Sequence, residues 1–211
     1  MNIVVFGATG QSGRRIVRYA LDEGHTVTAI ARTPVDLEMS HDCLAIDRGD
    51  VTKYESFADS LQGQDAVISA IGGGGLLRRV TLYSEGIKNT ITAMNAHDVS
   101  RLIGITAGGT HPGRDPNNSV VFEWIVKGVL LRRVYTDMRR MEQIIENSEL
   151  DWTIVRPSGL SNDPGDGSYQ TEVGYSIPEK ETTTRDDLAA FIVDEIYANE
   201  YIRKGVAVVT M

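Results

Sequence analysis

One cysteine, Cys43, stands among 211 residues, which excludes a disulfide framework and any multi-cysteine metal centre. The four histidines, at positions 25, 41, 97 and 111, have no metal-ligand spacing, and Asp163, Asp166 and Asp187 do not cluster as a cation site, so no metal is expected. Positive charge is short: 21 Lys and Arg stand against 29 Asp and Glu, a net charge of −8. With no cationic excess to replace phosphate counterions, a nucleic-acid partner is not expected. No apolar run approaches the ~20 residues of a membrane span, so no membrane partner is expected. The opening Met-Asn-Ile-Val-Val-Phe-Gly lacks the charged start of a signal peptide. These absences point to a cytoplasmic chain, monomer or homodimer, working on a small molecule. At 41% hydrophobic it has enough apolar residues for a full core.

Glycine is plentiful, at 21 residues, and its placement is informative. Short apolar β-branched runs alternate with helical patterns. Strands are expected at Ile3–Phe6, Val27–Ala31, Leu44–Arg48, Ala66–Ala70, Arg101–Thr106, Trp152–Arg156 and Val206–Val209. Helices are expected at Ser12–Glu23, Leu82–His97, Leu131–Ser148 and Asp186–Asn199. Strands apolar throughout and separated by helices are what a parallel sheet covered on both faces produces. The fold class is therefore α/β, a doubly wound parallel sheet, taken as a single domain over 1–211. Three stretches resist the alternation, 72–83, 108–130 and 158–180, and each follows a strand. Ligands bind at the carboxyl edge of open α/β sheets, so these stretches are read as a small substrate lobe.

Between the first strand and the first helix lies Gly7-Ala8-Thr9-Gly10-Gln11-Ser12-Gly13. In dinucleotide sites one glycine permits the turn, a second lets backbone N–H groups approach the pyrophosphate, and a third lets helix and strand touch. The second strand ends in Arg32-Thr33, with no acid there to bind a ribose 2′-hydroxyl. An arginine at that place suits a 2′-phosphate, which favours NADP(H) over NAD(H); pairing of Arg32 with Asp36 or Glu38 is the plainer alternative. Asp50 and Val51, after the third strand, suit the adenine edge, or else cap a following helix.

Gly7-Ala8-Thr9-Gly10-x-x-Gly13, Arg32-Thr33-Pro34, Gly49-Asp50-Val51 and Asp151-Trp152-Thr153-Ile154-Val155-Arg156-Pro157, in this order, carry a resemblance. The chain resembles the atypical short-chain dehydrogenase/reductases with NAD(P)H-binding or NmrA-like domains. Within them it has the pattern of the biliverdin-IXβ reductase/flavin reductase group, over nearly its whole length. The resemblance implies a Rossmann-like sheet with Gly7, Thr9, Gly10, Gln11, Ser12 and Gly13 on the pyrophosphate. It implies Arg32 and Thr33 on the adenosine phosphate and Asp50 and Val51 on the adenine. Ala70, Ile71 and Gly72 would line the ribose, and Thr106, Ala107 and Pro157 the nicotinamide.

The chain also departs from those relatives. Ala107 stands where many carry a serine, and Gly159 where some carry a histidine. The Tyr-x-x-x-Lys of alcohol-oxidising members is replaced by Tyr135-x-x-x-Arg139, and arginine does not exchange its proton near neutrality. Thr106 and Tyr135 are the remaining catalytic candidates, Tyr135 reading first as structural because aligning Glu142 puts Met138 in the lysine's place and turns Tyr135 out of register. Phe122 and Trp124 could wall a planar substrate, or pack a core or a dimer contact. His111 could donate a proton, and Arg78-Arg79 and Arg132-Arg133 could attract anionic substrate groups or be solvated surface charge.

The expected function is NADPH-dependent hydride transfer to a planar, electron-poor acceptor that is flavin-, quinone- or tetrapyrrole-like, with flavin as substrate. The competing class is an NADP(H)-binding redox sensor without turnover, as NmrA-like relatives suggest. A sugar epimerase or dehydratase is the weaker third, since that chemistry needs the Tyr-Lys pair.

Overall fold

A computed structural model describes residues 1–72, 81–111, 131–178 and 182–211. In chain order the elements are β1 (Asn2–Phe6), α1 (Gln11–Asp22), β2 (Thr26–Ala31), β3 (Leu44–Arg48), β4 (Ala66–Ser69), α2 (Leu82–Ala96) and β5 (Arg101–Ile105). There follow α3 (Arg132–Glu146), β6 (Asp151–Pro157), β7 (Gly159–Ser161), β8 (Tyr169–Val173), β9 (Thr182–Thr184), α4 (Arg185–Ala198) and β10 (Lys204–Thr210). Short 3₁₀ turns occupy Pro34–Leu37, Tyr54–Ser56, Ala58–Leu61 and Gly108–Thr110. Among the described residues no helix is long and apolar enough to cross a membrane. No acidic, histidine or cysteine cluster there could hold a metal ion.

The main sheet has eight strands in the order β3-β2-β1-β4-β5-β6-β10-β8. All neighbours pair in parallel except the edge strand β8, which runs antiparallel to β10. The order reverses between β1 and β4, and at such a switch point the diverging connections leave a crevice at the carboxyl ends of the strands. Because side chains alternate across a strand, Ile3 and Val5 face one way with Ile68, Ile103 and the apolar sides of α1 and α4. Val4 and Phe6 face the other way with Val67, Leu102 and the apolar sides of α2 and α3. The central strands β1, β4, β5 and β6 thus bury both faces, which is why their sequences lack polar alternation.

The expected elements are present with ends shifted by up to two residues. β4 ends at Ser69, leaving Ala70 free to enter the crevice wall. The helix expected from Asp186 begins at Arg185, because Thr184 caps it: its Oγ1 accepts from the Asp187 N–H at 3.1 Å. The largest difference lies in 158–180, expected as loop throughout. It contains β7 and β8, and β7 pairs with β9 as a second, two-stranded parallel sheet. β8 is an edge strand bounded by Gly167 and Gly174, both at positive φ. Its half-exposed side chains carry none of the apolar continuity that marked the central strands. Arg78, Arg79, Phe122 and Trp124, with most of 72–83 and 108–130, lie outside the described residues.

Candidate functional site

The site grows from the β1–α1 turn. Gly7 adopts φ +76°, and a Cβ there would lie 2.3 Å from the Ala70 carbonyl oxygen, so only glycine lets the turn lie against the end of β4. A Cβ on Gly13 would lie 2.1 Å from the Gly7 carbonyl oxygen, which brings the first turn of α1 down onto β1. The Gly10 N–H donates to Gly7 O at 2.9 Å and closes the turn. Gly10 occupies the N-cap of α1 with no side-chain cap, and no acid stands in the first turn. The positive end of the helix, with its orphan N–H groups, is therefore open to an external anion. Arg14, not singled out in the sequence, braces this turn. Its Nε donates to Thr9 O at 3.0 Å, its Nη1 to Leu37 O at 2.7 Å and its Nη2 to Asp36 O.

A cleft of about 620 Å³ opens over the turn at the β1/β4 switch point. It brings together Gly7, Thr9, Gly10, Gln11, Ser12 and Gly13 with Arg32, Asp50, Val51, Ala70, Ile71 and Gly72. These come from four separate strand ends. Arg32 is exposed, and it makes no salt bridge with Asp36 or Glu38; its charge acts instead toward Asp50. The Asp50 carboxylate accepts the Thr52 N–H at 3.0 Å and the Thr52 hydroxyl at 2.8 Å, both on Oδ1, so it turns the chain and caps no helix. Burial alone would raise its pKa; the Thr52 hydrogen bonds and the charges of Lys53 and Arg32 outweigh this and leave it below the ordinary carboxylate value. The Val51 carbonyl accepts from Asn89 Nδ2 at 3.0 Å, so of the Val51 backbone groups the N–H is the one left for a ligand.

Thr33, expected beside Arg32, is exposed and is not among the residues lining the cleft. Thr106, Ala107 and Pro157 are not among them either. The Thr106 hydroxyl donates to Glu142 Oε1 at 2.7 Å, and the Thr110 hydroxyl donates to the same oxygen at 2.6 Å. Arg156 adds Nε to Oε1 and Nη2 to Oε2, each at 3.0 Å, and both charged residues are buried. Thr106 thus belongs to a closed ionic network under the Gly108–Thr110 turn. A hydroxyl that already donates to a buried carboxylate has no proton to offer the cleft. Tyr135 is buried against the same turn: a Cβ on Gly109 would lie 2.7 Å from its ring. Arg139 donates through Nε to Thr110 O at 3.3 Å, so the arginine in the lysine's place braces the turn. His111 packs against Tyr175, ring centroids 4.4 Å apart and planes inclined at 41°.

Three lining residues have no place in the glycine-turn pattern: Leu82 at the start of α2, Leu160 on β7 and Arg185 at the start of α4. Neither spacing nor periodicity flagged them. Leu82 and Leu160 fall within the stretches 72–83 and 158–180 read as the substrate side, and Arg185 falls outside both.

The UPF0659 protein YMR090W of Saccharomyces cerevisiae is 28% identical over 99% of this chain and 93% of its own length. The uncharacterized sugar epimerase YhfK of Bacillus subtilis is 26% identical over 92% of this chain and 86% of its own. A Streptococcus pneumoniae structure provisionally named an NADH-flavin reductase superposes over 100% of both chains, with a TM-score of 0.82 at 23% identity, and shows the same fold. A family model described as NAD(P)H-binding matches residues 7–199, and the chain belongs to that NAD(P)H-binding family.

Proposed function

We propose that the chain is an NADPH-dependent reductase of planar, electron-poor acceptors, with flavin as the first to test. The observation that carries this reading is the single cleft joining the uncapped N-terminus of α1 to Arg32 and Asp50. The Gly7 and Gly13 contacts leave no room for side chains where a pyrophosphate would approach the backbone, so these residues fit a dinucleotide. Gln11, Ser12 and Gly13 would hold the pyrophosphate, Arg32 a 2′-phosphate, Asp50 and the Val51 N–H the adenine, and Ala70 to Gly72 the ribose. When bound, the cofactor supplies a hydride, and the organic chemistry is its own. The chain's contribution is orientation and exclusion of water. Thr106, Ala107 and Pro157, at the ends of β5 and β6, would border the far end of the cofactor as backbone and wall.

The acceptor class follows from what these residues cannot do. Alcohol oxidation and sugar epimerisation need a phenol whose proton a neighbouring lysine helps to move. Here Tyr135 lies against Gly109 and Arg139 serves a carbonyl. A flavin ring takes hydride without a protein acid, its proton coming from water, so the missing pair does not disable that reaction. The same commitment of Thr106 and Tyr135 favours one second reading, an NADP(H)-binding sensor without turnover.

Loss of 340 nm absorbance with NADPH, and separately NADH, against FMN, FAD, riboflavin, biliverdin and simple quinones tests the proposal. Saturable turnover with one acceptor is expected, with NADPH preferred, and Arg32→Ala should remove the preference. Tight NADPH binding with silence across the panel would overturn the reductase and leave the sensor.

A further inference from the structure

Among the described residues, Arg185 is the one cation of the cleft wall besides Arg32, and its surroundings are unusual. Both acids that follow it in α4 are spent elsewhere. Asp186 Oδ1 takes the Arg15 Nε at 2.7 Å and its Oδ2 the Gly165 N–H at 3.4 Å. Asp187 takes the Thr184 and Thr210 hydroxyls on Oδ2, each at 2.6 Å, and the Gly167 N–H on Oδ1 at 2.9 Å. Arg185 makes no salt bridge with any described residue. Its Nη1 donates to Asn162 Oδ1 at 3.0 Å, a neutral acceptor, and its Nε is buried with no acceptor among the described residues. Burial first, and the Arg15 charge second, hold its basicity below the ordinary arginine value. A guanidinium offers five donors in a planar fork matched to phosphate and carboxylate. Here one side of the fork is fixed by Asn162, the other has no acceptor, and Gln11, Ser12 and Leu160 line the same cleft.

We infer that Arg185 is an oxyanion-binding residue of the cleft, taking a phosphate or carboxylate oxygen from the side opposite the glycine turn. The anion would then be held between the first turn of α1 and a guanidinium brought from the start of α4. The inference rests on the reading of the cleft as the cofactor site. The oxyanion has two sources, the pyrophosphate of the cofactor and an anionic group of the acceptor, and they separate by experiment.

The test measures NADPH Kd by nicotinamide fluorescence and inorganic pyrophosphate binding by calorimetry for the wild type, Arg185→Ala and Arg185→Lys. KM values for FMN and for riboflavin, which lacks the phosphate, complete the set. A rise in NADPH Kd of about tenfold or more in Arg185→Ala, partly restored in Arg185→Lys, is expected and assigns the cofactor pyrophosphate. An unchanged NADPH Kd with a similar rise in KM for FMN but not for riboflavin sustains the inference with the acceptor as source. If neither quantity moves, the inference is overturned. If the wild type binds no NADPH, the cleft reading itself has failed and pyrophosphate decides alone. Weaker pyrophosphate binding by Arg185→Ala then sustains an anion site, and equal or absent binding overturns it. Circular dichroism on each variant identifies any loss due to unfolding, for which Arg185→Lys is the conservative check.

Discussion

Replacing Glu142 by Gln keeps the shape of the side chain and removes the charge on which four donors converge. Thr106 and Thr110 hydroxyls and Arg156 Nε all meet Oε1, and Arg156 Nη2 meets Oε2. In the better of its two orientations the amide keeps its oxygen toward the three donors and turns its NH₂ toward Arg156 Nη2, donor against donor. Arg156 then stays buried with half its pairing lost. Breaking a buried pair by removing one partner costs about 3–5 kcal/mol. One group can soften the loss. Burial first and the Glu142 charge second hold the Glu146 carboxyl above its ordinary value; without that charge it ionises more readily toward Arg156. The expected loss is therefore about 3 kcal/mol, the lower end of the range. Urea unfolding followed by far-UV circular dichroism measures it, and Glu142→Gln/Arg156→Met should be less destabilised than the sum of its single variants. A loss below about 1 kcal/mol in Glu142→Gln, or additivity in the double variant, would refute the network as a coupled unit.

Two further outcomes follow from other buried groups. Asp137, buried on α3, caps α2 from outside, accepting the Tyr83 N–H at 2.9 Å and the Ser84 hydroxyl at 2.5 Å. Asp137→Ala should cost about 2 kcal/mol, and Asp137→Asn less, read as a lowered urea midpoint. His25 is buried, with Nδ1 3.3 Å from the Met1 amine and Nε2 without a partner. Burial and then that positive charge hold its folded pKa below the ordinary 6.5, against a smaller opposite effect of Glu23. The unfolded chain then takes the proton first, so stability is full above about 6.5 and falls as pH drops toward the folded pKa. The urea midpoint should decline from pH 7.5 to pH 5, and His25→Gln should flatten that decline; an equal slope in both proteins would show that His25 is not its source.

The central sheet is readable in the sequence because strands buried on both faces are apolar almost throughout, as β1, β4 and β5 are, while β3 at the edge opposite β8 shows through Leu44, Ala45 and Ile46. β8 escapes for the same physical reason. As an edge strand it need bury only part of one face, and Tyr169-Gln-Thr-Glu-Val is no more apolar than a turn. The glycine turn is readable because its demand falls on the backbone: no other residue type satisfies the Gly7 conformation and the Gly13 contact. Arg32, Asp50 and Ala70 follow as strand ends of the same sheet. Thr106 misleads because its place after β5 is right while the direction of its hydroxyl is decided by Glu142, 36 residues away. Glu142 itself reads as any acid on an amphipathic helix. Arg185 and Leu160 reach the cleft through the β7–β9 pairing, which no local pattern announces.

The two buried acids of α3 bear on where acceptor choice resides. Asp137 fixes residues 83 and 84, shortly after the stretch 73–80, and Glu142 fixes Thr106 and Thr110, shortly before the stretch 112–130. Both anchors are built from charge-assisted hydrogen bonds in low-dielectric surroundings, where such bonds are strongest and misalignment costs most. One helix thus holds described residues beside both stretches, Tyr83 and Ser84 on α2 and Thr106 and Thr110 after β5, while the β1–α1 turn is set separately by its own backbone. Under the proposed function, changes beside these anchors would alter the acceptor without disturbing the turn that would hold the dinucleotide. Loss of either anchor should act on acceptor KM before it acts on cofactor Kd. That is the division of labour expected when one cofactor-binding frame serves several chemistries.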